Sequence, residues 1–230
     1  MRRNRTENSG NVLLACFTFI FMCSTFFNQL VLYKAVEQIT GATVSLKGTV
    51  SITVMPACRI DLFEGWNYIS LCARPANTSI KAVLQNIPYR YVMVWNESKQ
   101  AFEIYSPRAA DPPFENFDLN KSYFILITNN SLLSVRGDEF GDMNISLLQG
   151  WNPPTWPYLF TANISCYLSS IADKYRYVMK WNHSSQEFII YSPKAAEPQF
   201  TTISCGEGQF ILITDPAGAV LCYNKSACKP

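Results

Sequence analysis

The rhythm of apolar positions changes near residue 34. From Val12 to Tyr33 the chain reads "VLLACFTFIFMCSTFFNQLVLY" with no charged side chain, enough for a helix across the ~30 Å hydrocarbon layer of a membrane. Beyond it the period becomes two. Val44, Leu46, Val50, Ile52 and Val54 share one parity, with Thr, Ser and Lys on the other and Gly48 as a bend, which predicts one long or two short strands with one apolar face. From Cys58 onward, runs rich in Val, Ile, Tyr, Phe and Trp alternate with turn signals. Three hairpins are predicted, around Glu64-Gly65, around "NESKQ" and around Asn129-Asn130. Between the first two, Ile80, Val83, Leu84 and Ile87 fall on one helical face, closed by Pro88.

The same pattern occurs twice. "YRYVMVWNESKQAFEIYSP" from Tyr89 matches "YRYVMKWNHSSQEFIIYSP" from Tyr175, "LFEGWNYIS" matches "LLQGWNPPT", and "SYFILIT" matches "GQFILIT". A repeat of this size is one structural unit used twice. In the quoted hairpin, Tyr89, Tyr91, Met93 and Trp95 share one strand face, with Arg90, Val92, Val94 and Asn96 on the other. Because Val94 corresponds to Lys180, the Tyr/Met/Trp side is expected inside and the Arg/Asn side outside. On the return strand Phe102 and Ile104, or Phe188 and Ile190, are expected to face inward. The prolines of "GWNPPTW" should shorten that strand or leave it as an edge.

The expected fold is mostly β. An N-terminal transmembrane helix precedes two tandem small β-barrel or sandwich modules, each of about six strands in three hairpins plus one short helix. The expected boundaries are a basic cytoplasmic leader at 1–11, the membrane helix at 12–33, a β-strand linker at 34–57, the first module at 58–136, a linker at 137–143 and the second module at 144–230. Strand 43–54 would dock on the first module or mediate self-association through its edge.

Charge and cysteine usage add a compartment. Arg2, Arg3 and Arg5 precede the apolar run, which keeps that end cytoplasmic and places the rest outside. A cleaved signal is an alternative, although "FFNQLVLYKAV" has no A-x-A-like site. A lipoprotein ending at Cys16 has only a short apolar stretch before it. Net charge is +2 and dispersed, so neither nucleic acid nor an acidic partner is indicated. Six cysteines lie beyond the helix: Cys58, Cys72, Cys166, Cys205, Cys222 and Cys228. They read as disulfides. Folding at Glu64-Gly65 sets Cys58 opposite Cys72, the turn at Asp215–Gly218 sets Cys205 opposite Cys228, and Cys166 pairs with Cys222 by elimination. No C-x-x-C spacing suggests zinc, and the single histidine, His183, is in a loop. Beyond the apolar run, N-x-S/T sequons that include Asn77, Asn96, Asn129, Asn144, Asn163, Asn182 and Asn224 point to N-glycosylation.

The set "GWNYIS", "YVMVWN", "FEIYSP" and "SYFILI" resembles the GWN(L/Y)IS-type repeat modules of archaeal and bacterial membrane-anchored surface proteins. That resemblance implies a surface location and an adhesive or cell-envelope role. The leader ending at Gly10 before an apolar helix resembles that of type IV pilin-like proteins, which implies an alternative filament subunit cut after Gly10. No catalytic motif, cofactor-binding pattern or metal-ligand spacing occurs in the sequence, so a non-catalytic role is expected. The expected partners are membrane lipid through residues 12–33 and a cell-surface protein or glycan. A carbohydrate-binding module or the accessory domain of an envelope hydrolase is the remaining alternative. Two candidate ligand sites follow. Trp156, Tyr158 and Phe160 alternate in "PPTWPYLF" and could stack on sugars, or fill the core. Arg136-Gly137-Asp138 spells a cell-adhesion tripeptide between the repeats, where a linker turn would also account for it.

Overall fold

The computed structural model describes residues 57–229. The basic leader, the membrane helix and strand 43–54 lie outside them. Among the described residues, no helix is long and apolar enough to cross a membrane. Both repeats belong to one compact unit, residues 55–230.

The fold is mostly β. In the first repeat, β1 (Ala57–Leu62) pairs antiparallel with β6 (Ser131–Arg136). A four-stranded antiparallel sheet has the order β2–β5–β3–β4, with β2 at Gly65–Ser70, β3 at Tyr89–Asn96, β4 at Ala101–Tyr105 and β5 at Ser122–Ile127. The second repeat copies this. Strand β7 (Met143–Leu147) pairs with β14 (Ala219–Tyr223), and a sheet of order β11–β10–β13–β8 contains β8 (Gly150–Asn152), β10 (Tyr175–Asn182), β11 (Glu187–Tyr191) and β13 (Gln209–Ile213). A two-residue pair, β9 (Ala162–Asn163) with β12 (Thr202–Ile203), is added there.

Of the three expected hairpins in the first repeat, only β3–β4 forms. The other two turn signals make corners that carry the chain from one sheet to the other, since β1 pairs with β6 and β2 with β5. Six antiparallel strands thus close as two sheets over a core of Ile60, Leu62, Ile80, Leu84, Val92, Ile125 and Leu133. Alternation on β1 follows from this, with Cys58, Ile60 and Leu62 inward. The expected helix is the single turn α1 (Ile80–Val83), which buries Ile80; Leu84 and Ile87 beyond it are buried too. Its counterpart is α2 (Ile164–Tyr167) followed by a 3₁₀ turn at Ser169–Ile171, and a last turn, α3, spans Lys225–Cys228.

The face assignment of the repeated hairpin is corrected. Val92 and Val94 point into the first repeat's own core, whereas Met93 and Trp95 face the opposite way into a third cluster. Phe102 lies at the rim of that cluster, its ring edge-on to Trp95 and Phe210, and Ile104 and Ile190 are exposed. The strand is covered on both faces, so its alternation does not distinguish core from solvent. Lys180, at the position of Val94, keeps its charge at the boundary by pairing with Glu207 at 2.8 Å and lying over the Phe200 ring. Strand β8 is three residues long against six in β2, as the two prolines require.

Candidate functional site

The third cluster lies where the repeats meet, and the duplicated segments build it. Each residue of the GWN motif has a separate task. Asn67 closes the corner: its side-chain amide donates to the Phe63 and Gly65 carbonyls and its oxygen accepts from the Phe63 amide. Asn152 does the same with Leu148 and Gly150. Gly65 and Gly150 adopt φ of 100° and 102°, a region that disfavours side chains. A Cβ on either would also stand 2.8 or 2.7 Å from the side chain of Gln186 or Gln100.

Those glutamines come from the opposite repeat. The Trp66 amide donates to Gln186 Oε1 at 2.8 Å, and the Trp66 carbonyl accepts from Gln186 Nε2 at 3.1 Å and from the Trp181 indole at 2.8 Å. In mirror fashion the Trp151 amide donates to Gln100 Oε1 at 2.9 Å, and its carbonyl accepts from Gln100 Nε2 at 3.1 Å and Trp95 Nε1 at 2.9 Å. Each glutamine thus stands in for one residue of an extra strand. Further along, the Ser70 amide donates to the Gly206 carbonyl and the Gly208 amide to the Tyr68 carbonyl. The symmetric pair is Thr155 to Asn120 and Ser122 to Pro153. The nineteen-residue segment is repeated because each copy clasps the GWN strand of the other.

One position breaks the symmetry. Tyr68 lies between Phe124 (centroids 4.4 Å apart) and Phe210 (4.8 Å), which correspond to each other in the repeat. Its hydroxyl donates to the Gln209 carbonyl at 3.0 Å, and burial raises its pKa well above that of a free tyrosine. Its counterpart in the second repeat is Pro153. A ring on a pseudo-two-fold axis can be supplied once only, because a second would need the same space.

The cysteines are partly as expected. Cys58 is bonded to Cys72, with Cα atoms 5.3 Å apart, although they meet across two sheets rather than across a hairpin. Two pairings are corrected. Cys228 is bonded to Cys166, and Cys222 is exposed and free among the described residues. The reason is that α3 turns the chain end back beside α2. Cys205 instead sits against the first repeat's core, with its Cα 5.8 Å from that of Cys72. The sulfurs of Cys58, Cys72 and Cys205 all lie within 4.8 Å of one another, a cluster that spacing in the sequence did not signal. His183 is not near enough to join it as a ligand and stacks on Phe63 at 3.8 Å.

The proposed stacking row is also corrected. Trp156 and Tyr158 are buried and Phe160 is half-buried in the second repeat's core, with Trp156 edge-on to Tyr158, Phe160 and Tyr167. Their faces are spent on one another, so no sugar can stack there. Arg136-Gly137-Asp138 is a pinned strand end. Asp138 and Arg74 exchange two backbone hydrogen bonds, of 2.8 and 3.1 Å, and Arg74 lies over the Phe140 ring. Of the sequon asparagines named above, Asn77, Asn129, Asn144, Asn163 and Asn224 are exposed, while Asn96 and Asn182 are half-buried at the β3–β4 and β10–β11 turns. Compared with protein-family models, curated proteins and solved structures, the chain finds no match.

Proposed function

We infer that this chain is a membrane-anchored surface protein, facing outward and glycosylated, whose two interlocked β repeats serve as a structural or adhesive element rather than an enzyme. The observation that carries the reading is the placement of the sequons. Asn77, Asn129, Asn144, Asn163 and Asn224 are exposed and Asn96 and Asn182 are half-buried, so each reaches the surface, whereas the aromatic residues of the repeat are spent on mutual packing. Cysteines at disulfide distance support the same oxidising setting. The anchor rests on the apolar run 12–33.

The test is made on intact cells. The protein should fractionate with membranes, react with a membrane-impermeant amine label, and yield glycopeptides at the exposed sequons by mass spectrometry. Recovery from the cytosol, unlabelled and with unmodified sequons, would overturn the reading. The mature N-terminus separates the anchor from the filament alternative: a chain beginning at Asn11 would indicate cleavage after Gly10.

A further inference from the structure

Of the sulfur cluster at the repeat junction, the surface reading uses only the Cys58–Cys72 pair and leaves the third sulfur, Cys205, without a part; the fold does not require the cluster. The corresponding positions on the other side of the pseudo-two-fold are Met143, Pro157 and Leu119, and Met143 and Leu119 there pack on the second repeat's core as apolar filler. Three cysteines replace that filler at one of two equivalent places. We propose that Cys58, Cys72 and Cys205 form a thiol–disulfide exchange centre in which Cys72 is the shared sulfur, bonded either to Cys58 within the first repeat or to Cys205 of the second.

The geometry permits both bonds and only one at a time. Cα separations of 5.3 Å for Cys58 and Cys72 and 5.8 Å for Cys72 and Cys205 both suit a bridge without backbone movement. The third sulfur stays in reach, since Cys58 and Cys205 sulfurs are 3.8 Å apart. In the exchange, the Cys205 thiolate attacks Cys72 Sγ; the Cys205–Cys72 bond forms, the Cys72–Cys58 bond breaks, and its electron pair leaves on Cys58. The proton lost from Cys205 is matched by one gained at Cys58, so one disulfide and one thiol are present before and after. No outside oxidant or reductant is consumed. The Cys72 amide donates to Cys58 Sγ at 3.1 Å, which favours the departing thiolate.

The two states differ in what they expose and what they join. With Cys58–Cys72 closed, the free thiol is Cys205, half-buried in the wall of a surface cleft with Arg59, Asp61, His183 and Glu207. The repeats are then joined at this point by non-covalent contacts alone. With Cys72–Cys205 closed, a covalent latch crosses the junction and the free thiol, Cys58, is fully buried. At this cluster a thiol-reactive partner would therefore meet only the unlatched form, whereas the exposed Cys222 is the same in both.

The experiment maps disulfides in the unsubstituted full chain, purified without reductant. It is alkylated natively with iodoacetamide for increasing times, quenched in acid and digested without reduction, with cleavage after Glu207 to separate Cys205 from Cys222. At short times both Cys58–Cys72 and Cys72–Cys205 peptides should appear. Longer alkylation should remove the Cys72–Cys205 peptide as Cys205 is trapped, with Cys58 staying unlabelled until denaturation. Cys58→Ser should retain Cys72–Cys205, and Cys205→Ser should retain Cys58–Cys72. One pairing only at every alkylation time, Cys205 joined to a cysteine outside the cluster, or three reduced thiols around a soft metal ion would each overturn the proposal.

Discussion

Replacing Tyr68 by alanine tests whether the repeats melt as one body. The side chain belongs to the first repeat, yet one face of its ring covers Phe124 and the other covers Phe210 of the second, and it is 5% exposed. Truncating a buried aromatic of this size costs about 3–5 kcal/mol. That range covers the lost stacking on two rings and the cavity left between them. The Gln209 carbonyl also loses the Tyr68 hydroxyl donor, worth about 1 kcal/mol net. Taking ~4 kcal/mol, and about 2–4 °C per kcal/mol for a unit of this size, Tm should fall by about 8–16 °C. The assay is a thermal scan of the full-length chain in detergent, followed both by calorimetry and by tryptophan fluorescence. Trp66 and Trp95 report from one repeat and Trp151, Trp156 and Trp181 from the other. A single transition, shifted as a whole, is expected. Two resolved transitions with the second repeat unmoved, or a shift below about 2 °C, would refute the idea that Tyr68 is shared packing.

Other consequences can be checked alongside. Gly137→Ala would place a Cβ 1.8 Å from the Arg74 carbonyl oxygen; the strand end must shift, at about 1–3 kcal/mol, measured by urea unfolding, and an unchanged midpoint would contradict the pinned Arg136–Asp138 segment. Cys166→Ser should cost about 2–4 kcal/mol by opening a 62-residue separation, whereas Cys222→Ser should be neutral within about 0.5 kcal/mol; equal losses would restore the Cys166–Cys222 pairing. In alkali, burial pushes Tyr89 and Tyr158 up to about 12, raises Tyr123 and Tyr223 further, and raises Tyr68 well above a free tyrosine. The folded state therefore keeps protons that the unfolded chain loses near pH 10, so their contribution is intact below about pH 10 and declines as pH rises toward 12. Absorbance of tyrosinate at 295 nm should show these groups staying protonated at pH 10 in the folded protein, with Tyr89 and Tyr158 ionising at about 12; reversible ionisation of every tyrosine near pH 10 in the folded protein would contradict their burial.

The sequence determined which segments recur, where strands and the short helix lie, and that Cys58 and Cys72 come together, because periodicity, turn residues and local spacing act over a few residues at a time. Pro153 and Pro154 likewise announce a shortened β8, since a missing backbone donor acts wherever the chain goes. What covers each face was decided only in three dimensions. Alternation on β3 shows that a side is apolar, and Val92 facing its own core looks no different in sequence from Trp95 reaching for Trp151. A turn signal such as Glu64-Gly65 serves a hairpin and a corner equally, because it fixes a change of direction and leaves the partner strand open. Cysteine pairing beyond the local loop has the same character. Cys205 meets Cys72, and Cys228 meets Cys166, through the closing of sheets and chain ends that no spacing between letters records.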